Sequence, residues 1–342
     1  IHDVVSNYEF ISLEIPNDVI IEEIRNVIFR GSKIYVWDSN RNGYRAKISV
    51  YDSTGSFQFV IDRSGRGPGE YEQISDFNVT DNNIVVISPA NILYYDRLTG
   101  KHVNTIENNF EGDRIQWAHF FDDDSGVYEA GRGRRNLTKN HLKFFETKTN
   151  SIIHEAVPFE SHALILSRSR FLFETNEEVN ARPVNSNIVY NIQKNQGSIS
   201  VEPSYALDFG ELWIPESFLR TSFQNMDQIF TEGLHRQYIH KVDLFETNKF
   251  LYAAYTYERN NFAYIYDKEM DQHINVSKFI DNEIGWSIQP LGNYDEWIIG
   301  VIYPFELKSE ESIIDPSLQE IVDKSDNDGN PIFVLVSFNL NQ

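Results

Sequence analysis

An aromatic residue followed by a turn residue recurs along this chain, and its spacing restricts the fold more than any other feature. The pair falls at Tyr51-Asp52, Tyr95-Asp96, Phe145-Glu146, Tyr190-Asn191, Tyr266-Asp267 and Phe338-Asn339, at intervals of 44, 50, 45, 76 and 72 residues. Around the first pair lie three β-forming runs, 33–37, 47–52 and 55–61; around the second lie 83–87, 92–96 and 100–106. These runs alternate or are wholly apolar over a few residues and are rich in Val, Ile and Tyr. Asp and Gly between them supply tight hairpins. A period in the forties with several strands per unit is the pattern of propeller blades. Six marks predict six blades, and the two long intervals predict insertions near 208–238 and 304–330.

The ends of the chain test this reading. After Asn339 only three residues follow, too few for the last blade to build its own outer strand. A spare strand lies at the other end, in 9–13. Lending it to the last blade closes the ring and protects strand edges that would otherwise invite aggregation. The expectation is an all-β chain: one six-bladed β-propeller domain over 1–342, closed by an N-terminal strand, with short helical insertions. Helical spacing is confined to those insertions: Phe218, Leu219, Phe223, Met226 and Phe230 after Pro215, and Leu318, Ile321 and Val322 after Asp315-Pro316.

Composition narrows the chemistry. There is no cysteine, so disulfides, thiolate metal sites and thiol nucleophiles are excluded. Thirty Lys and Arg against 51 Asp and Glu give a formal charge of −21. That balance argues against nucleic acid or an anionic membrane surface, which both reward dense positive charge. No run approaches the ~20 apolar residues that span a bilayer. The numbering begins at Ile1, so a signal or lipid anchor upstream would not be visible.

The loop Gly65-Arg-Gly-Pro-Gly-Glu-Tyr71, then Phe77-Asn-Val and the strand leading to Tyr95-Asp96, resembles the NHL repeat of the TolB-like propeller superfamily. The full length resembles six-bladed propellers of Bacteroides-type bacteria, through 11–14, the 65–71 loop, 208–216, 245–251, 266–268 and 328–334. The resemblance implies an exported protein of the periplasm or cell surface, often lipid-anchored. It implies no activity.

The chemistry-like motifs have structural readings beside them. The Gly65–Gly69 loop lacks the helix start and the Lys-Ser/Thr that a phosphate cradle needs, so it reads as a link between blades. Asp122–Asp124 reads as a hairpin turn. In 323–330 the glycine comes one residue late for a calcium loop. No Gly-x-Ser-x-Gly elbow or His-Glu-x-x-His pair occurs.

The turns after second strands and the links between blades should share one face: 38–47, 88–91, 129–140, 174–187, 257–262, 304–330, 62–75, 107–115, 155–167, 208–238 and 276–285. They hold 12 of the 17 Arg but only 5 of the 13 Lys, beside 29 of the 51 acids. The face is therefore not a basic patch, but it is rich in the side chain suited to planar anions. Its one locally basic loop carries Arg132, Arg134 and Arg135. Trp117, His119, Arg168, His240 and Trp286, with Asp76, are expected to ring the axial mouth, either as a ligand site or as a plug.

Two functions follow from this reading. One is a noncatalytic extracytoplasmic binding or interaction propeller without a cofactor. It would take a small-molecule, glycan or protein ligand, with an anionic or carbohydrate-like ligand fitting the arginines. The alternative is a metal-dependent hydrolase resembling gluconolactonase-type propellers, with a divalent ion on the axis and Asp76 as a candidate acid.

Overall fold

The computed structural model describes residues 5–14, 16, 19, 21–40, 45–130, 139–158, 171–175, 178–195, 197–219, 238–239, 241–258, 260–276, 280–281, 286–287, 289–307, 315–324 and 331–340. The first strand is β1 (Val5–Ser12). Blade 1 is β2 (Glu23–Arg30), β3 (Lys33–Ser39), β4 (Lys47–Asp52) and β5 (Phe57–Ile61). Blade 2 is β6 (Asp76–Val79), β7 (Asn83–Ile87), β8 (Asn91–Asp96) and β9 (His102–Glu107). Blade 3 is β10 (Ala118–Phe120), β11 (Ser125–Glu129), β12 (Asn140–Glu146) and β13 (Ser151–Pro158). Blade 4 is β14 (Leu172–Glu174), β15 (Val179–Ala181), β16 (Ile188–Asn195) and β17 (Ser198–Ala206). Blade 5 is β18 (Val242–Glu246), β19 (Phe250–Tyr257), β20 (Asn260–Asp267) and β21 (Gln272–Val276). A two-stranded hairpin, β22 (Ile280–Asp281) and β23 (Trp286–Ser287), precedes blade 6, which holds β24 (Gln289–Tyr294), β25 (Trp297–Ile302) and β26 (Ile332–Phe338).

The fourth strand of blade 6 is β1. The sheet order is β1-β26-β25-β24, and β1 runs antiparallel to β26 from Val5 opposite Phe338 to Ser12 opposite Ile332. This exchange closes the ring of a six-bladed β-propeller, as the spare strand predicts. The segment after β1 also clasps blade 1. Glu14 N–H donates to Gly55 O at 2.8 Å, Phe57 N–H donates to Glu14 Oε2 at 2.8 Å, and Leu13 joins the core.

Each repeat mark has a physical meaning. At every mark but Tyr266, which pairs with His273 without a skip, the aromatic residue sits where the outer strand bulges. Tyr51 pairs with Phe57 while Val50 pairs with Phe59, which leaves Gln58 unmatched. The same skip leaves out Val103 beside Tyr95, Ile153 beside Phe145 and Ser204 beside Tyr190. The acid after it caps the hairpin. Asp52 accepts the N–H groups of Thr54 and Ser56 at 2.9 and 3.1 Å, and Asp96 accepts those of Leu98 and Thr99 at 3.2 and 2.8 Å. One residue of each hairpin is left-handed: Gly55, Gly100, Asn150, Gly197 and Asp271, the types that tolerate positive φ. The fourth mark differs from expectation. Tyr190-Asn191 lies inside β16, because that hairpin runs on to Asn195 before it turns.

Two compact units divide the chain. The first is Ile1–Gly126, Thr147–Asn150 and Phe279–Gln342; the second is Val127–Glu146 and Ser151–Lys278. In the first, Tyr35, Ile48 and Val50 of blade 1 pack on Phe77, Ile84, Val86 and Tyr95 of blade 2, with Trp37 edge-on to Phe77. The other face of blade 1, with Ile34, Val36 and Tyr51, packs on Ile299, Val301, Phe333 and Leu335 of blade 6. In the second, Val189 and Leu207 pack on Val242, Leu244, Leu251 and Ala253 of blade 5. Blade 1 therefore coheres with blades 2 and 6 through large apolar side chains on both its faces.

The insertions carry the described helices. A 3-10 turn (Gly210–Leu212) and α1 (Glu216–Leu219) fall in the first, whose residues 220–237 lie outside the described set. The second holds α2 (Pro304–Leu307) and α3 (Pro316–Lys324). Asp315 caps α3, accepting the N–H groups of Ser317 and Leu318 at 2.8 and 3.0 Å ahead of Pro316 at the first helical position. Leu318 and Val322 are buried on its inner face.

Candidate functional site

Asp76, Trp117 and His119 are brought together. Asp76 opens β6, is buried, and accepts the N–H of Ala118, which stands between Trp117 and His119, at 3.3 Å. Two residues on, Asn78 repeats the bridge: its amide donates to Ala118 O at 2.8 Å and its oxygen accepts Phe120 N–H at 3.2 Å. Alternate side chains of β6 thus stitch it to the backbone of β10. His119 meets Phe121 edge-on at 5.2 Å. Asp76 is one carboxylate engaged with backbone, and no group of three His, Cys, Asp or Glu gathers among the described residues. The ligand set of a divalent ion is not assembled around it there.

Other charged and glycine-rich motifs are spent on structure. In the 62–75 link, Gly65 N–H donates to Tyr71 O at 3.0 Å and Gly67 N–H to Glu70 Oε2 at 2.7 Å. The carboxylate lies where side chains would otherwise be: a Cβ on Gly65 would stand 2.0 Å from Glu70 Oε2. Tyr71 is fully enclosed, its hydroxyl 3.0 Å from both Ala46 O and Ile61 O. The loop answers its own carboxylate rather than an anion. Among the three aspartates, Asp122 accepts Asp124 N–H and the Ser125 hydroxyl, both at 2.9 Å. Asp124 pairs with Lys148 at 2.5 Å. Asp123 reaches back to blade 2, where the Thr80 hydroxyl and the Asn82 and Asn83 amides donate to it. Burial alone would raise its carboxyl, but those three donors hold it below the ordinary value.

Sequence reasoning missed two buried acids at the ends of second strands. Asp38, the next-to-last residue of β3, stands opposite Lys47 in register, with Nζ 3.6 Å from its Oδ2 and Glu22 N–H at 3.3 Å. It is 1% exposed, and its Oδ1 has no hydrogen-bond partner. Burial pushes its carboxyl up to about 6, against the opposing pull of Lys47. Glu129 ends β11; it accepts Val184 N–H at 2.7 Å, with His141 Nδ1 3.8 Å away. The available signal was an acid at the end of the second run with a basic residue starting the third. A third buried acid, Glu246, takes Lys268 at 2.6 Å, the Tyr205 hydroxyl at 2.9 Å and the Asn180 amide at 3.3 Å, binding blade 4 to blade 5. Burial and this carboxylate together push the Tyr205 phenol up.

Arg132, Arg134, Arg135, Arg168 and His240 lie outside the described residues. Trp286 begins β23, its backbone opposite Asp281. Residues 1–337 match the family described as a domain of unknown function, DUF4934. The chain belongs to the DUF4934 family. No curated protein matches it. Among solved structures, this DUF4934 chain is similar to a Bacteroides fragilis protein inferred to be exported: TM-score 0.82, 19% identity, 97% of this chain and 95% of that one. A DUF4221 family member from Bacteroides vulgatus follows with TM-score 0.59 and 9% identity, over 99% of this chain and 98% of that one. At these identities the DUF4934 chain shares the fold with both. Among its described residues no helix is long and apolar enough to cross a membrane.

Proposed function

We propose that this DUF4934 propeller is a noncatalytic, extracytoplasmic binding or interaction protein. Its ligand, anionic or carbohydrate-like, would be held on the face that carries the inter-blade links and insertions. The observation that carries the reading is the distribution of cations: 12 of the 17 Arg fall in those loops, against 5 of the 13 Lys. Guanidinium groups read planar anions and sugar hydroxyls through fixed forks of donors. The described acids and glycines on which chemistry could have rested are occupied in holding blades together, which supports binding over catalysis. Export fits the Bacteroides fragilis structure of similar fold, and the NHL-like, TolB-like character of the repeats belongs to the same reading, as does a lipid anchor.

The loop of Arg132, Arg134 and Arg135 is the preferred contact, with Trp117, His119, Arg168, His240 and Trp286 lining the mouth beside it. The test is a panel of sulfated, carboxylated and neutral glycans presented to wild type and to the triple variant Arg132→Ala, Arg134→Ala, Arg135→Ala. Wild type should retain an anionic or neutral glycan that the variant binds at least tenfold more weakly, at an unchanged melting temperature. Equal retention by both proteins would remove the loop from the site.

A further inference from the structure

The outer edge of blade 5 differs from the other five. An outer strand presents unpaired backbone groups to solvent, and natural sheets blunt such edges with bulges, charges or proline. Five outer strands here are interrupted where they meet the third strand of their blade. Ser6 of β1, Gln58 of β5, Val103 of β9, Ile153 of β13 and Ser204 of β17 are each skipped by the register. The described ladder of β21 has no skip: Ala263 to Asp267 match Val276 to Gln272 one for one.

Composition reinforces the difference. Glu9 lies on β1, Glu107 on β9, Glu155 and Pro158 on β13, and Glu202 and Pro203 on β17. β5 lacks such residues, but Glu14 takes its first N–H. β21 reads Gln272-His-Ile-Asn-Val276, with no acid, Lys, Arg or Pro, and no described strand lies beyond it. Its ring-bearing residue, His273, is turned onto the sheet face against Tyr264 at 5.5 Å.

Charge selects the occupant. The turn that leads into β21 exposes Glu269 and Asp271, with Met270 46% exposed between them. Lys268, the cation of that turn, is drawn away to Glu246 at 2.6 Å and Thr247 O at 2.7 Å, and Lys249 stands 3.9 Å from Glu269 as a long, exposed surface pair of little strength. A second copy would bring the same acids and a further charge of −21 to this edge. A cationic strand would meet them favourably. We propose that the outer edge of β21 docks an extended, Lys- or Arg-bearing segment of a protein partner, which adds as a fifth strand of blade 5. Main-chain hydrogen bonds would supply affinity, and the alternating side chains beside Glu269, Met270 and Asp271 the selectivity.

The test uses the full chain and three octapeptides alternating Lys-Val, Glu-Val or Ser-Val, read by amide hydrogen exchange over 272–276. The Lys-Val peptide should slow exchange there several-fold, less so at high salt, and the Glu-Val peptide should not. The double variant Glu269→Lys, Asp271→Asn keeps a residue tolerant of positive φ at 271 and should lose the effect. The inference is overturned by equal slowing with Glu-Val, by slowing that survives in the variant, or by slowing at 102–107 instead. Absence of slowing with every peptide overturns it as well. So does slowing that rises with protein concentration when no peptide is present, which would make the occupant a second copy.

Discussion

Replacing Asp38 by Asn should stabilise the protein at neutral pH, and the gain should grow with pH. The side chain is almost fully buried, with one oxygen lacking a hydrogen-bond partner and Lys47 at 3.6 Å. Its carboxyl is held at about 6 against an ordinary 3.8. Between those values the native state keeps a proton that the unfolded chain has released, so this group's contribution falls as pH rises through the window and is level above it. At ~1.4 kcal/mol per tenfold in proton affinity, ionised Asp38 costs about 3 kcal/mol at pH 7.5 and about 1 kcal/mol at pH 4.5. Asn has the same shape and never ionises. Urea unfolding of both proteins at pH 4.5, 5.5, 6.5 and 7.5, with unchanged slope against urea, should therefore show an advantage for Asn that rises by about 2 kcal/mol across the series. A difference that does not vary with pH, or a loss of stability at pH 7.5, would refute the reasoning, because it would mean that Lys47 and Glu22 N–H fully compensate the buried charge.

Three further substitutions test how the blades are joined. Gly55→Ala places a Cβ 2.2 Å from Ser12 O at φ +87°, whereas Gly31→Ala, at φ +60°, meets nothing within 4 Å. The first should cost about 2–4 kcal/mol in urea unfolding and the second only ~1; equal losses would show that the clasp of residues 12–14 on the hairpin contributes nothing. Tyr71→Phe removes the one hydroxyl shared by Ala46 O and Ile61 O and should cost about 1–3 kcal/mol, a neutral result meaning that those carbonyls find other donors.

The ring and its closure were legible in the sequence because both rest on short-range patterns: alternation within strands, Asp and Gly in hairpins, and a run left over at one end. The aromatic mark was legible as a repeat, but its role beside a bulge was not, since a bulge is a property of two strands in register. Tyr190 shows this well. Its position in the sequence predicts a strand end, yet its pairing with Pro203 is what it shares with Tyr51 opposite Phe57. The candidate site was less legible. Asp76 and His119 are brought near each other by the bridge from Asp76 to Ala118, and Asp38 becomes unusual only when its burial and its pairing with Lys47 are known. Burial and cross-strand pairing are made by residues far apart in the chain, and single-residue chemistry does not reveal them.

The union of β1 with β26 also has a consequence for how the molecule is made. The Ser6 and Ser337 hydroxyls meet at 2.7 Å although 331 positions separate them. During synthesis β1 emerges ahead of the other propeller strands and must wait for its partner β26 until the strands between them have left the ribosome. Blades 1 and 2 can form as local units meanwhile, since consecutive strands make them up. Blade 6 cannot. A nascent chain interrupted before Ile332 would present two open edges at once, those of β1 and β25. Quality control that recognises exposed strands would therefore sense completion of the propeller at a single seam, formed only after β26 is translated.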